Sequence, residues 1–172
     1  MVNKNTIVAM ISIAVIAGSL TYSSLGAVSA SGLEFRWNKA GSFDLVALLA
    51  NGNLAVCNDS TLPANFDKYS VSITYDGNNI GTFVADGGVL APHTIGTIHG
   101  NLESADKSVS QYFFYHLDSE MGGMDARISP EKMSVQSTID AKILGIIPYD
   151  VSRAYSGEDF FNMMNGKTSC DE

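Results

Sequence analysis

The sequence predicts a mainly-β domain, a small antiparallel β-sandwich with one or two short helices, preceded by an N-terminal hydrophobic leader helix. Three observations predict it. Apolar and polar residues alternate with a period of two in several short runs. Turn signals recur every eight to twelve residues between those runs. The first thirty residues differ in kind, with Lys4 the only charge before Glu34.

The leader comes first. Residues 7–18 read I-V-A-M-I-S-I-A-V-I-A-G, an apolar run behind a positive start, which is the pattern of a secretory signal. Val28 and Ala30 are small residues placed for a cut before Ser31. The competing reading is an uncleaved anchor, because residues 6–33 carry no charge and about 20 such residues span a bilayer. Both readings export the remainder. The domain division is therefore residues 1–30, signal peptide or membrane anchor; 31–155, β-sandwich; and 156–172, C-terminal helix and polar tail.

The body follows in order. L-E-F-R-W sets Leu33, Phe35 and Trp37 on one face and Glu34 and Arg36 on the other, a half-buried strand. Residues 43–50 are a more continuously apolar run, and Asn51-Gly52 is a hairpin signal. Y-S-V-S-I-T-Y alternates Tyr69, Val71, Ile73 and Tyr75 against serines and a threonine, and D-G-N-N then I-G-T-F-V-A completes a hairpin. G-G-V-L-A-P-H-T reads as a turn before the strand T-I-G-T-I-H-G. Ile95 and Ile98 lie three apart there, which suggests a bulge at Gly96.

Val109, Tyr112, Phe113 and His116 have helical spacing, predicting a short helix over 105–117. Residues 118–125 form a loop, 126–128 are strand-like, and Pro130 ends them. Residues 132–147 read as one long strand, with Pro148 ending it or opening an edge. Ser156 stands three residues before Asp159, a capping-box-like start to a helix whose face is Phe160, Phe161 and Met164 and whose end is Gly166.

Composition narrows function by exclusion. Eighteen acidic against ten basic side chains, with no basic cluster, argue against nucleic acid, since phosphate binding needs concentrated positive charge. No cofactor motif is present, and no nucleophile, base and acid fall in a recognisable pattern, so the reading is non-enzymatic.

C-N-D-S-T-L-P-A-N-F, Y-S-V-S-I-T-Y-D-G-N-N-I-G-T-F and V-L-A-P-H-T-I-G-T-I-H-G-N-L resemble the late-embryogenesis-abundant type 2 domain, also called the water-stress and hypersensitive-response domain. Asn58 matches the first asparagine of that family's corner, while Asp59 stands where the family usually has proline. I-D-A-K-I-L-G-I-I-P-Y is similar to its closing strand. The resemblance implies an immunoglobulin-like sandwich acting by surface contacts in envelope or stress protection. Leader, domain and tail helix together also resemble small exported or membrane-anchored archaeal proteins.

Several residues are candidates for a role. Cys57 and Cys170 read either as a disulfide, plausible outside the cytoplasm, or as two separate thiols. Asn58-Asp59-Ser60 is a glycosylation triplet; its other reading is a corner whose polar side chains bond the backbone. Tyr112, Phe113, Phe114 and Tyr115 are a candidate interaction patch for a protein partner or a second copy, against a core reading of the same rings. The membrane is a partner through the N-terminal segment if it is uncleaved. The alternative function is a metal-dependent binder or enzyme using His93 and His99, six apart, with acids from Asp118, Glu120 and Asp125. No standard metal spacing supports it.

Overall fold

The computed structural model describes residues 3–38, 52–104, 108 and 130–171. Alternation produces seven strands there: β1 (Glu34–Trp37), β2 (Gly52–Asn58), β3 (Ala64–Tyr75), β4 (Asn78–Leu90), β5 (Thr94–Glu103), β6 (Met133–Ile143) and β7 (Ile147–Ser156). Two helices flank them, α1 (Lys4–Ala30) and α2 (Gly157–Asn165). The mainly-β class with a leader helix is as expected. The residue 105–117 helix, the 43–50 run, Asn51 of the hairpin signal and the 126–128 strand fall outside the described residues, save Ser108, which is helical.

Every pairing is antiparallel, and the strands form one sheet in the order β1-β2-β5-β4-β3-β6-β7. That sheet is not flat. Phe35 of β1 and Tyr69 of β3 stack with ring centroids 3.7 Å apart. Four strand steps separate β1 from β3 in that order, which is about 19 Å across a flat sheet. The sheet has therefore curled until its two halves face each other. The two layers expected of a sandwich are the halves of one continuous sheet.

Gly100 is the pivot. Residues 94–100 of β5 pair with β2, and residues 100–103 pair with β4. A strand that changes partners in mid-course makes such a corner. A Cβ at Gly100 would sit 2.3 Å from Phe83 Cζ, so only glycine fits there. Between the halves lie Trp37, Leu54, Val56, Tyr69, Val71, Phe83 and Val135, all nearly inaccessible to solvent.

Local sequence accounts for each hairpin. Asp76 and Gly77 have φ of 50° and 82°, a two-residue turn between β3 and β4 whose twist matches the strands. Between β6 and β7 the loop has three residues, 144–146, with Leu144 and Gly145 again left-handed at φ of 56° and 68°. The single long strand expected over 132–147 is thus two strands. Leucine carries no turn signal, and only Gly145 marks the spot. Pro148 lies on β7, an edge strand, where its missing donor costs no ladder bond.

Two other expectations change. The G-G-V-L segment continues β4 to Leu90, and the turn is confined to residues 91–93. The β2–β5 register runs unbroken through Gly96, so no bulge lies there; a register shift falls at Ile73/Thr74 instead. Ile95 points outward, while Gly96 fills an inward position beneath the Leu90 side chain at 3.4 Å.

α1 has two parts. Residues 4–22 are exposed throughout, and the last turns bury Ala27 and Ala30 against the sheet. Ser29 Oγ donates to the Leu62 carbonyl at 3.2 Å, and Ser23 Oγ accepts from Leu144 N at 2.6 Å. α2 starts as its capping box predicts: Ser156 Oγ accepts from Asp159 N at 3.1 Å and donates to Asp159 Oδ2 at 2.7 Å. Phe160 and Met164 face inward.

Candidate functional site

β1 and β7 are the two edges of the curled sheet, and they do not pair with each other among the described residues. α2 packs against both and roofs the gap. Beneath it lies a cavity of about 510 Å³ lined from β1, β3, β6, β7 and the segment after α2. That volume is in the range of small-molecule sites.

Its walls follow from strand alternation. Phe35, Tyr69, Ile139 and Tyr155 supply aromatic and apolar surface. Arg153 and Lys167 supply positive charge, and Glu34 negative charge. Arg153 Nη2 donates to the Ser31 carbonyl at 2.7 Å. Tyr69 is fully buried and bonded to the Ser137 hydroxyl; burial first, then the nearby Tyr155, push its phenol well above the ordinary range. It is a fixed neutral hydrogen-bonding group at physiological pH.

The segment after α2 closes one wall by long-range bonds. Glu34 accepts from Ser169 N and Ser169 Oγ, each at 2.8 Å. Arg36 Nη2 meets Asp171 Oδ1 at 2.7 Å. Asp171 Oδ2 accepts from Thr168 N at 2.8 Å and from Thr168 Oγ1 at 3.0 Å. The Thr168 backbone bond leads in holding the Asp171 carboxyl below its ordinary range, helped by the Thr168 hydroxyl and Arg36. Cys57 of β2 and Cys170 are joined as a disulfide, their Cα atoms 5.9 Å apart. Both cysteines are thereby removed as nucleophiles.

No family model matches this chain, the late-embryogenesis-abundant type 2 family included, and no curated protein matches it. Among solved structures it is similar to one described as a protein from Archaeoglobus fulgidus. That similarity has 10% sequence identity and a TM-score of 0.33, over 72% of this chain and 94% of that one.

The remaining candidates are scattered. Asn58 is 1% exposed at the corner between β2 and β3. Its Nδ2 donates to the carbonyls of Leu62, Leu90 and Ala91 at 2.9, 3.2 and 3.1 Å, and its Oδ1 accepts from Ser60 N and Ser60 Oγ. The atom a glycan would occupy is fully engaged, so the folded corner has no room for one; the corner reading describes the geometry.

His93 lies in a turn, exposed, with Nδ1 3.7 Å from Asp59 Oδ1. His99 is exposed on β5 opposite Asn53. Six residues of nearly extended chain separate them by about 20 Å, too far to hold one metal. Among the described residues no group of three His, Cys, Asp or Glu is arranged for a metal. His116, Asp118, Glu120 and Asp125, and the patch Tyr112, Phe113, Phe114 and Tyr115, lie outside the described residues.

The sequence did not reveal the cavity. Its walls come from residues far apart in sequence, such as Glu34 and Ser169, 135 positions apart. The alternation of β1 was the only local signal, since it sets Phe35 inward and Glu34 toward the tail.

Proposed function

We propose that this protein is a non-enzymatic β-domain held at the outer face of a membrane by an uncleaved α1, acting there by surface contacts. Envelope or stress protection is the role that the late-embryogenesis-abundant type 2 resemblance suggests. One observation carries the reading: α1 is exposed over residues 4–22 but built into the domain beyond them. A cut before Ser31 would strip Ala27 and Ala30 from the core and remove the Ser23 and Ser29 bonds. α1 is also, among the described residues, the helix long and apolar enough to cross a membrane. A disulfide fits an oxidising compartment.

Intact mass measurement on the protein from its native membranes tests this. The expected species keeps residues 4–30, carries the Cys57–Cys170 bond and resists alkaline extraction. A mature chain beginning at Ser31 in the soluble fraction overturns the anchor.

The cavity favours a second reading, binding of a small amphipathic anion between the aromatic wall and the Arg153 and Lys167 charges. Isothermal titration with short-chain carboxylates tests it, with Arg153→Ala expected to weaken any binding seen.

A further inference from the structure

Outside α1, the exposed large apolar side chains among the described residues are Leu62, Val89, Ile95, Leu144, Ile146 and Ile147. All but Ile95 gather at one pole. Leu62 and Val89 line a depression with Tyr22 and Leu25 of α1. The turn carrying Leu144 and Ile146 is tied to α1 through Ser23. Strand register agrees: Ala64 and Leu90 are paired at this end of the β3–β4 hairpin, and the Asp76–Gly77 turn lies at the other.

The exposure is large. Ile146 is 80% exposed and Val89 71%. Leu144 also holds a left-handed backbone, which costs a non-glycine residue about 1–2 kcal/mol. Asparagine would fill that position with less strain. A strained, solvent-facing leucine beside two isoleucines has no role in the core.

We propose that this pole is a lipid-contacting collar, seated in the headgroup and upper acyl region of the bilayer that α1 crosses. The proposal rests on the anchor reading and names the surface that reading leaves open. Helix length places the collar. The exposed residues 4–22 rise about 28 Å, close to the roughly 30 Å of a hydrocarbon core. With Lys4 at one boundary, Tyr22 and Leu25 fall at the other, where amphipathic rings concentrate. The collar is level with them. The first charges met along β3 and β6 leading away from it are mutually neutralised, Lys142 with Asp67 and Lys68 with Asp140, each at 3.3 Å. Contact is therefore apolar and needs no anionic lipid.

The test uses the full chain, disulfide intact, at high dilution in phosphatidylcholine vesicles whose acyl chains are brominated both near the top and near the terminal methyl, so that quencher is present at the depth of every labelled position. An environment-sensitive fluorophore is placed singly at Ile146→Cys, Val89→Cys, Ile13→Cys and Asn79→Cys. Expected are blue-shifted emission and bromine quenching at 146, 89 and 13, with water-like, unquenched emission at 79. Quenching at 13 with water-like emission at 146 and 89 overturns the collar and leaves the anchor standing. Blue-shifted but unquenched emission at 146 and 89 means that another copy covers the pole, and also overturns it. Absence of quenching at 13 overturns the anchor reading and the collar together.

Discussion

Asn58 shows how one side chain can look like a reagent and work as a fastener. It sits where β2 leaves one half of the sheet and the chain heads for β3 in the other. Its amide joins three carbonyls, those of Leu62, Leu90 and Ala91, from two separate stretches of chain. Asn58→Ala takes that donor from the buried Leu90 carbonyl and the acceptor from Ser60, while the Leu62 and Ala91 carbonyls keep Ser29, Ser60 and Thr94 hydroxyls; a loss of about 1–3 kcal/mol is expected. Urea titration of the detergent-solubilised protein measures it. Peptide mapping at Asn58 is expected to find no sugar.

Asp171 offers a pH test at the same scale. Its carboxyl titrates lower in the folded state than in the unfolded chain, through Thr168 and Arg36. The stability it contributes is therefore full above the unfolded value and lost as pH falls through the folded one. Asp171→Asn is expected to flatten the decline in melting temperature below about pH 4. An unchanged acid limb would show that Asp171 is not coupled to folding.

Among the elements, the hairpins were the most legible. The Asp-Gly pair announces the β3–β4 turn, and the alternation on either side fixes which face is buried. The β6–β7 turn was illegible because Leu144 occupies a position that chemistry would give to asparagine. Leu144→Asn is expected to raise stability in detergent by about 1 kcal/mol. The C-terminal helix was legible from its Ser156–Asp159 cap, yet nothing in its own sequence says that it bridges the two sheet edges. The disulfide fixes the segment behind it. Replacing Cys57 and Cys170 by alanine is expected to cost about 2–5 kcal/mol and to open the residues after α2 to limited proteolysis.

For the molecule as a whole, the β class and the leader were readable because period and charge are local properties. The curl was not. It depends on Gly100 yielding to Phe83, and on Phe35 finding Tyr69 across four strand steps. Gly96 misled for the same reason: a gap in the apolar alternation looks like a bulge until the Leu90 side chain is seen to fill it. Phe35→Ala removes the stack that holds the halves together. A loss of about 3–5 kcal/mol is expected, with near-ultraviolet dichroism of the stacked rings collapsing before the far-ultraviolet β signal.

The clasp between β1 and the segment after α2 also sets a timetable. Arg36 and Asp171 are 135 positions apart. A ribosome needs on the order of ten seconds to make that length. Throughout that interval Arg36 lacks its partner from the tail, and Cys57, once made, remains an unclaimed thiol. Nascent copies are most vulnerable to wrong cross-links then, and the correct bond becomes possible only after Cys170 has emerged.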